Sequence, residues 1–567
     1  ELSRSWSKDD DRRQEILEES IDVYHKIVQA YVNSDQIEKA LEYVERSRSK
    51  RLVDIMASND RYSQGEIPGE VKKRLKEHEA IQQQINQLWE QQQQREELAA
   101  ATKGRAATEA RNKEIAQLEA QKQEVYKKIR SLDRVLAEGI QVAPLEFPKI
   151  QALIQEPTTA ILSFYTITND TYLFVLRQDG VKVHTYRGLG LKELQSWIWE
   201  KWFESYLSSR EEWQQQMPEF LQDVGRKLKL EELCKSDLQD IEELILIPHQ
   251  HLHFLPWNAM PVAESGENKY LGDHFRIRTL ASCQILDFCT EREEIKGEIK
   301  QGIVEDTHND LPCSSYEAQY IAQMYGVPEE QRLRGEAATI DSYKLLLSQV
   351  QRLLSTHHAQ SRIDNCMESA LVLADGRLTL GQLLSPAFRF PDLDEVFIDC
   401  CETNLGQVQI SDDVLTLNTG FLCAGARGVI SSLWSVDDLG TCLFSIFYHQ
   451  LRQEGKNRSL ALQLGQRQLR ELTGKELKKK YKKELEEALE EKLEAAYKQL
   501  QEIERRLDSY AEGSAEYQEL KEEREKLVAI YERIFDTKNK YLKAACKKQH
   551  PFEHPAYWSA FICAGLS

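Results

Sequence analysis

Short apolar runs without polar alternation recur between helical segments of the chain, and this pattern most constrains the fold. Several runs are rich in valine and isoleucine, which is typical of strands buried on both faces of a sheet that is covered by helices. Their alternation with helical segments favours the α/β class with mostly parallel sheets. The span 144–567 is long enough for two such sheets side by side. The runs are 159–164, 171–176, 244–247, 370–373, 396–398, 428–431 and 560–562.

The composition argues against several classes of protein. The chain has 567 residues, enough for roughly three or four domains of about 150 residues each. It carries 74 basic and 93 acidic residues, a net charge of -19, whereas a primary binder of nucleic acid or of an anionic membrane needs a basic face. We find no apolar run of membrane-spanning length and no signal peptide. We therefore expect a soluble, cytoplasmic protein that contacts neither nucleic acid nor membrane directly; its oligomeric state stays open.

The cysteines and histidines outside the candidate site favour structural roles. Eleven cysteines are scattered without a CxxC pair, which disfavours a zinc site and a disulfide framework and indicates a reducing compartment. His249, His251 and His253 alternate like metal ligands on a strand, but Pro248 precedes them and no acidic or Cys partner is near. The glycines in 187–191 lack phosphate-loop spacing. We predict no metal and no cofactor.

Residues 12–57 have the periodicity of consecutive amphipathic helices. Apolar residues recur at helical spacing, the segment 33–35 interrupts them, and the pattern resumes at Ile37. With Ala40 where two helices must approach closely, this helix-turn-helix resembles one tetratricopeptide unit rather than an ordinary helical hairpin. A single unit cannot bury its own face, and the chain begins at Glu1 rather than Met, so we expect further repeats upstream.

Two stretches rich in Gln, Glu, Lys and Arg predict coiled-coil-like helical hairpins. The first is 61–140, with a break near 102–104, and the second is 471–547, with a tip at 509–514. Each hairpin is either a solvated spacer or a docking surface for a partner, and the sequence leaves both open. The apolar stripes are Ile81, Ile85 and Leu88 in the first, and Leu485, Leu489, Leu493, Tyr497, Leu500, Leu520, Leu527, Ile530 and Ile534 in the second.

Two loops that follow apolar runs carry reactive side chains. One holds His357 and His358, and the other, 399–406, contains Cys400 and Cys401. Because sites in open α/β sheets form at the carboxyl ends of strands, a Cys and a His on these loops can come within hydrogen-bond reach. The His then acts as a general base and raises the thiolate fraction of a cysteine whose free pKa is about 8.5. With eleven cysteines and 13 histidines in the chain, spacing alone does not select a pair.

Several segments resemble the CHAT family, caspase-like proteases associated with tetratricopeptide repeats. The segment 399–406 is similar to the motif around the family's catalytic cysteine, in which a buried strand leads into a small-residue pair, Cys, Glu or Gln, and Thr. The segments 355–357 and 365–380 look most like cyanobacterial members. The other similar blocks, which together span most of 40–567, are RSRSKRL at 46–52, LIPH at 246–249, AGARGVISSLWSVDD at 424–438 and HPAYWSAF at 554–561.

The resemblance implies a role for each site residue. Cys401 matches the nucleophile, His357 matches the base, and Cys400 fills the small-residue position. The family usually has Gly after the base where this chain has His358, which leaves open which histidine acts. The backbone N–H groups of Cys401 and His358 would form the oxyanion hole. Asp399 matches an Asp that lines a pocket for Arg or Lys in the related metacaspases; this predicts cleavage after a basic residue, the alternative being that Asp399 caps a neighbouring loop.

The family also implies an architecture and a function. The expected parts are tetratricopeptide-like helices at 1–60, a helical hairpin at 61–140, an inactive caspase-like half at 141–298, and an active half at 299–567 with the hairpin 471–547 inserted. The implied function is a cysteine endopeptidase performing limited proteolysis of a protein partner, selected by the repeat helices and hairpins, in a regulatory role such as cell differentiation. Two alternatives stay open: a catalytically silent scaffold, and an effector partner of an RNA-guided complex.

Overall fold

The computed structural model describes residues 10–62, 69–96, 105–132, 142–263, 269–362, 364–386, 388–400, 407–408, 412–511 and 514–567. Cys401 with the rest of its motif, 402–406, and the expected hairpin break at 102–104 lie outside the described residues. Within the described ranges, no helix combines the length and the apolar character that crossing a membrane requires.

Helices form the amino-terminal part of the chain. The interruption predicted at 33–35 is confirmed, because one helix ends at Asn33 and Asp35 takes a left-handed backbone conformation with φ 59°. Ala40 is completely buried at the contact between the first two helices, together with Val28 and Val44. The helices are α1 (Asp10–Asn33), α2 (Ile37–Ser47), α3 (Lys50–Tyr62), α4 (Gly69–Glu96), α5 (Arg105–Leu132) and α6 (Phe147–Ala152).

The first hairpin, α4 and α5, is fixed to the body of the protein by a buried ion pair. Lys122 on α5 is enclosed, and its Nζ donates to Glu368 Oε2 at 2.6 Å and to the side chain of Gln82 on α4. A buried ammonium is tolerated only when it is paired in this way. This end of the hairpin is therefore a packed element rather than a solvated spacer.

The first sheet has the strand order β3-β2-β1-β4-β5. β1, β2 and β3 are antiparallel, whereas β4 and β5 are parallel to β1. The expectation of a mostly parallel sheet is wrong here, because the connections 167–169 and 178–179 are too short for a parallel crossover. The strands are β1 (Thr159–Thr166), β2 (Asp170–Arg177), β3 (Gly180–Arg187), β4 (Glu243–Ile247) and β5 (Arg276–Thr279).

The second sheet has the order β16-β15-β12-β8-β6-β7 and is parallel except for its edge strand β16. Phe397 and Ile398 of β12 enter two different cores, so the strand is buried on both faces and lacks polar alternation. The two sheets meet where Arg278 of β5 donates Nη1–H to the carbonyl of Gly565 at 3.0 Å. The strands are β6 (Gln301–Glu305), β7 (Arg332–Arg334), β8 (Arg352–Thr356), β12 (Glu395–Ile398), β15 (Gly428–Ser432) and β16 (Phe561–Gly565).

The run 370–373 is a strand, as the sequence predicts, but it joins neither large sheet. It forms β10 of a small antiparallel sheet with the order β11-β10-β9. Gly376 has a φ of 141° and turns the chain straight back on itself, which only an antiparallel partner allows. The minor strands are β9 (Ala359–Gln360), β10 (Ala370–Leu373), β11 (Gly376–Thr379), β13 (Gln407–Val408) and β14 (Val414–Leu415).

Helices cover both faces of the two sheets. The longer ones are α7 (Arg210–Lys227), α8 (Leu230–Ser236), α9 (Cys283–Glu291), α10 (Ser314–Tyr325), α11 (Ile340–Leu347), α12 (Leu417–Ala424), α13 (Asp438–Gln453), α14 (Arg458–Glu471), α15 (Gly474–Lys480), α16 (Lys482–Leu507) and α17 (Ala515–Asp536). Shorter helical turns lie at Leu191–Gln195, Ser196–Ile198, Trp199–Glu204, Ser205–Ser208, Gln250–Phe254, Trp257–Ala259, Leu271–His274, Glu329–Gln331, Gly335–Ala337, Cys366–Glu368, Leu380–Leu383, Thr537–Tyr541, Leu542–Ala545 and Pro555–Trp558.

The second hairpin, α16 and α17, is inserted between α15 and β16. Leu485 and Leu489 are buried in the core that α10 and α13 share, and Tyr316 donates to Glu484 Oε2 at 3.1 Å. Tyr497, which the sequence places on the same apolar stripe, is 53% exposed. The base of this hairpin therefore belongs to the core, while its outer part projects into solvent.

Candidate functional site

The two loops predicted to carry reactive side chains begin side by side. β8 and β12 are neighbouring parallel strands in which Ser355 pairs with Ile398. The Asp399 N–H donates to the Ser355 carbonyl at 2.8 Å, and the Cys400 thiol donates to the same carbonyl at 3.3 Å. Cys401 follows by one peptide bond, outside the described residues. The structure thus brings His357, His358, Asp399 and Cys400 together at the carboxyl edge of the second sheet.

His357 is enclosed. Its side chain is 1% exposed, its Nε2 lies 2.8 Å from Ser355 Oγ, and its Nδ1 lies 3.0 Å from the backbone carbonyl of His358. Tyr343 OH lies 3.2 Å from the same Ser355 hydroxyl. Burial lowers the pKa of His357 to about 3, so its imidazole is neutral at physiological pH.

His358 is partly open to solvent and has a carboxylate partner. Its side chain is 33% exposed, and its Nε2 lies 2.8 Å from Asp310 Oδ1. The hydrogen bond to Asp310 raises the pKa of His358, and it outweighs the opposing effect of burial. Burial alone would raise the pKa of Asp310, but the bond and charge of His358 lower it. The pair therefore favours an imidazolium beside a carboxylate.

The loop that carries Asp310 is shaped by another carboxylate. Asp306 follows β6 with a φ of 39°, and its Oδ1 accepts the N–H groups of Asp310 and Leu311 at 2.9 and 3.1 Å. Lys492 on α16 bonds to the other oxygen of Asp306 and to the Leu311 carbonyl. Arg533 on α17 donates to the Asp310 carbonyl at 3.4 Å. Both helices of the second hairpin therefore hold the loop that supports His358.

Sequence reasoning missed Asp306 and Asp310, because the strand before them was not recognised. β6 is short, and its charged end residue Glu305 is buried against Arg332 at 2.6 Å. The available signal was the segment 305–310, a run of acidic and polar residues that directly follows the Ile303-Val304 pair.

The carboxyl group of Asp399 is paired with a second carboxyl group. It is 7% exposed and hydrogen-bonded to Glu317 on α10, which also accepts the Thr356 hydroxyl at 3.1 Å. Burial raises the pKa of Asp399 to about 7 and that of Glu317 well above its ordinary value. Two carboxyl groups in contact share a proton, since both cannot ionise at this separation. Asp438, at the start of α13, adds a further acidic group nearby.

Potential metal ligands are not clustered in the described part of the chain. Among the residues that the structure describes, no group of three or more His, Cys, Asp or Glu side chains is arranged to hold a metal ion. His249 accepts the Thr166 N–H at 3.2 Å, and His251 contacts the carbonyl of Gln195 at 2.9 Å. Both contacts are structural.

Comparison with known families identifies the chain. The profile of the CHAT domain matches residues 218–566, more than half of the chain. The chain belongs to the CHAT domain family. No curated protein matches it.

Two solved structures are similar to parts of this CHAT protein. One is the Arg specific cysteine proteinase gingipain R, with a TM-score of 0.31 and 9% identity over 42% of this chain and 61% of that one. The other is the separase–securin complex of Saccharomyces cerevisiae, with a TM-score of 0.39 and 12% identity over 60% of this chain and 31% of that one. The chain spans less than two thirds of the length of either.

The CHAT domain is tied to the amino-terminal helices at the far end of the loop that contains Cys401. Asp412 is buried, and its Oδ1 accepts the Gln250 N–H at 2.8 Å and lies 3.3 Å from His253 Nε2. Arg48, completely buried between α2 and α3, lies 3.9 Å from Asp412 Oδ2. Burial opposes the ionisation of Asp412, but the neighbouring imidazoles and Arg48 outweigh it and lower its pKa to about 2.

Proposed function

We propose that this CHAT protein is a cysteine endopeptidase that performs limited proteolysis of a protein partner. The observation that carries the proposal is the placement of His357 and His358 at the end of β8, beside the end of β12 from which Cys401 continues. This is the neighbouring-strand arrangement that a Cys–His pair needs. The family's motif assigns the nucleophile to Cys401 and the base to His357.

The proposed reaction is covalent. The base removes the thiol proton, the Cys401 thiolate attacks the scissile carbonyl, and the leaving amine takes the proton from the imidazolium. Backbone N–H groups of Cys401 and His358 stabilise the oxyanion, and water then hydrolyses the acyl-enzyme.

We propose a basic P1 residue, the one before the cleaved bond. The support is the paired carboxyls of Asp399 and Glu317, together with Asp438. When an Arg or Lys side chain enters, the proton that the pair shares passes to water, and the cation forms a charge-assisted hydrogen bond with the carboxylates in its place. The pocket then discriminates against acidic residues by repulsion and against apolar residues by the cost of desolvating the carboxyls.

The outer part of the second hairpin is the proposed docking surface for the partner. Tyr497 is 53% exposed and Tyr510 is 43% exposed. Tyrosine and phenylalanine are enriched in interface cores. Limited proteolysis of a docked partner fits a regulatory role such as cell differentiation.

A catalytically silent scaffold is the second candidate, and one observation favours it. Both ring nitrogens of His357 are already bonded within the protein. If no other imidazole serves Cys401, the site binds a partner without cleaving it.

Cleavage of fluorogenic peptides with Arg, Lys, Asp or Leu at P1 tests the proposal. We expect turnover after Arg and Lys by the intact chain and none by Cys401→Ala. Cys400→Ala is the matched control, because it removes the adjacent thiol and leaves the proposed nucleophile. Turnover that survives in Cys401→Ala, or turnover of the Leu or Asp peptides at rates equal to the Arg peptide, contradicts the proposal.

A further inference from the structure

A cavity of about 450 Å³ lies between the two large sheets, at the edge opposite to the candidate site. Because β8, β12 and β15 are parallel, their amino ends meet at this edge. Arg352 begins β8, and Asp394 and Arg427 directly precede β12 and β15; all three line the cavity. Thr159 and Glu243 line it from the amino ends of β1 and β4 in the first sheet.

Arginines outnumber the buried carboxylates at one wall of this cavity. Arg278 is paired with Glu243, their Nε and Oε1 atoms lying 3.2 Å apart. Four further guanidinium groups surround only two adjacent carboxylates, which leaves an excess of two positive charges. The arginines are Arg352, Arg427, Arg452 and Arg458, and the carboxylates are Asp394 and Glu395.

The carboxylate of Asp394 is shared unequally among its three arginines. Arg458 Nη2 lies 2.6 Å from Asp394 Oδ1. Arg427 Nη1 lies 3.5 Å from the same oxygen, and Arg352 Nε lies 3.7 Å from Oδ2. The Nε atoms of Arg352 and Arg427 are buried and have no hydrogen-bond acceptor in the described part of the chain. These two guanidinium groups therefore keep donors for a further anion.

The carboxyl group of Glu395 shows the sign of the local potential. Burial opposes its ionisation, but the three neighbouring guanidinium groups outweigh this effect and hold its pKa well below the ordinary value. Glu156 and Glu294 also line the cavity, but both are exposed, so solvent and salt screen their charges. An anion that enters the cavity therefore meets a positive potential.

The cavity also has apolar walls. Leu153 and Leu286 are buried and line its interior. Ile295 and Ile299 line it from the connection between α9 and β6, and Ile299 is 42% exposed. Cavities of about 300–1,000 Å³ that combine apolar walls with a few charged groups are typical of small-molecule sites.

We propose that this cavity binds the phosphate monoester of a small organic molecule. Arg352 and Arg427 hold the phosphate, and the organic part packs against Ile295 and Ile299. The planar guanidinium group donates two parallel hydrogen bonds to a phosphate. A phosphate monoester carries about −1.5 to −2 charges near neutral pH, which matches the excess at this wall, whereas a monocarboxylate supplies half of it. This site does not depend on the proposed endopeptidase function.

Isothermal titration calorimetry of the intact chain tests the proposal with phenyl phosphate as the probe. We expect one phenyl phosphate per chain, bound at least about tenfold more tightly than inorganic phosphate, which lacks the apolar group. Benzoate, which has the ring but a single charge, should bind at least about tenfold more weakly than phenyl phosphate. Absence of phenyl phosphate binding, or equal binding of benzoate, overturns the proposal. A phosphoserine peptide that binds more tightly than phenyl phosphate overturns the assignment to a small molecule.

Two variants test the residues that hold the phosphate. Arg352→Gln and Arg427→Gln should each weaken the binding of phenyl phosphate by about tenfold or more, because each removes charge-assisted hydrogen bonds. Lys296→Gln is the matched control, since it removes one exposed positive charge from the connection between α9 and β6 without touching this cavity. It should change the binding by less than about twofold. Equal losses in all three variants would show unspecific attraction and overturn the site.

Ile299→Ser keeps the proposal falsifiable if an arginine variant does not fold, because Ile299 is exposed and its replacement leaves the core intact. We expect about three- to tenfold weaker binding of phenyl phosphate and unchanged binding of inorganic phosphate. A loss of equal size for both probes, or no loss for either, contradicts the placement of the organic part.

Discussion

Lys492 on α16 bonds to the carboxylate of Asp306, the residue whose other oxygen holds the loop leading to Asp310. The second hairpin thereby contacts the loop that supports His358 through this ammonium group, in addition to the contact that Arg533 makes with the Asp310 carbonyl. Asp306 is buried, whereas Lys492 remains 16% exposed on its solvent side. A partner that moved α16 would withdraw a charge from beside the site.

Lys492→Met should destabilise the chain by about 1–3 kcal/mol, because it leaves the Asp306 carboxylate buried without its cation. Urea unfolding measures the loss, and hydrogen exchange of the segment 306–311 should accelerate. Lys498→Met, on the exposed outer part of the same helix, is the control and should change stability by less than about 0.5 kcal/mol. Equal effects of the two substitutions contradict the prediction.

Glu317→Gln should lower cleavage after Arg by about 10–100-fold. The amide keeps the shape of the side chain but removes one carboxyl from the pair with Asp399, and so weakens the recognition of a cation. The ratio of kcat/KM for the Arg and Leu peptides measures this change. A drop of the same size for both peptides would show that Glu317 acts on folding or on the chemical step instead.

The stability of the chain should depend on the proton of Asp399. Burial raises its pKa in the folded state to about 7, whereas an unfolded Asp titrates near ~3.9. The folded chain then binds more protons between these values, so this contribution is complete below about pH 4 and is lost as the pH rises through 7. As the pH rises from mildly acidic to neutral, the melting temperature of the unmodified chain should therefore fall relative to that of Asp399→Asn. The exposed Asp508→Asn is the control, and its melting temperature should show no such change relative to the unmodified chain.

The buried histidine His449 should have the opposite effect on the pH dependence of stability. Burial lowers the pKa of His449 to about 3, below the value of ~6.5 in an unfolded chain. Its stabilising contribution is present above pH 6.5 and is lost as the pH falls towards 3, because only the unfolded state takes up the proton. His449→Gln should narrow the difference in unfolding free energy between neutral and mildly acidic pH. The exposed His274→Gln is the control, and an unaltered difference in His449→Gln refutes the prediction.

Arg48→Met should destabilise the chain by about 3–5 kcal/mol, because it removes the cation beside the buried Asp412 Oδ2. The double variant with Asp412→Asn should be less damaging than the sum of the two single changes, and a double-mutant cycle in urea measures this coupling. Arg46→Met, whose partly exposed side chain lies over Tyr43, should cost under about 1 kcal/mol. Additive single effects would show that Arg48 and Asp412 do not interact.

The sequence predicts the strands that contain a longer uninterrupted apolar run and misses those in which charged residues interrupt or shorten it. β1, β4, β12 and β15 are recognisable because both faces are buried. β5 and β6 are not, since Arg278 and Glu305 are buried only by virtue of ion pairs with Glu243 and Arg332. Such partners are distant in the chain, so no local pattern marks the strands that carry them.

The same limit applies to the site. His357, His358 and Asp399 are predictable because a local motif contains them. Asp310 and Glu317 are not, because their contacts depend on how the loop after β6 and helix α10 are placed on the sheet. The sequence also does not show that His357 and His358 have different partners. Ser355 contacts the ring of His357 and Asp310 contacts the ring of His358, and both contacts depend on the fold.

The central position of β1 in the first sheet limits where the chain can be cut into stable fragments. The family profile begins at residue 218, yet β4, inside the profile, pairs along its whole length with β1, outside it. A fragment cut to the profile would expose the hydrogen-bonding edge of β4 and leave Asp412 without Arg48. The conserved domain of sequence comparison and the autonomous folding unit are therefore different objects, and recombinant fragments need to retain the chain from α2 onward.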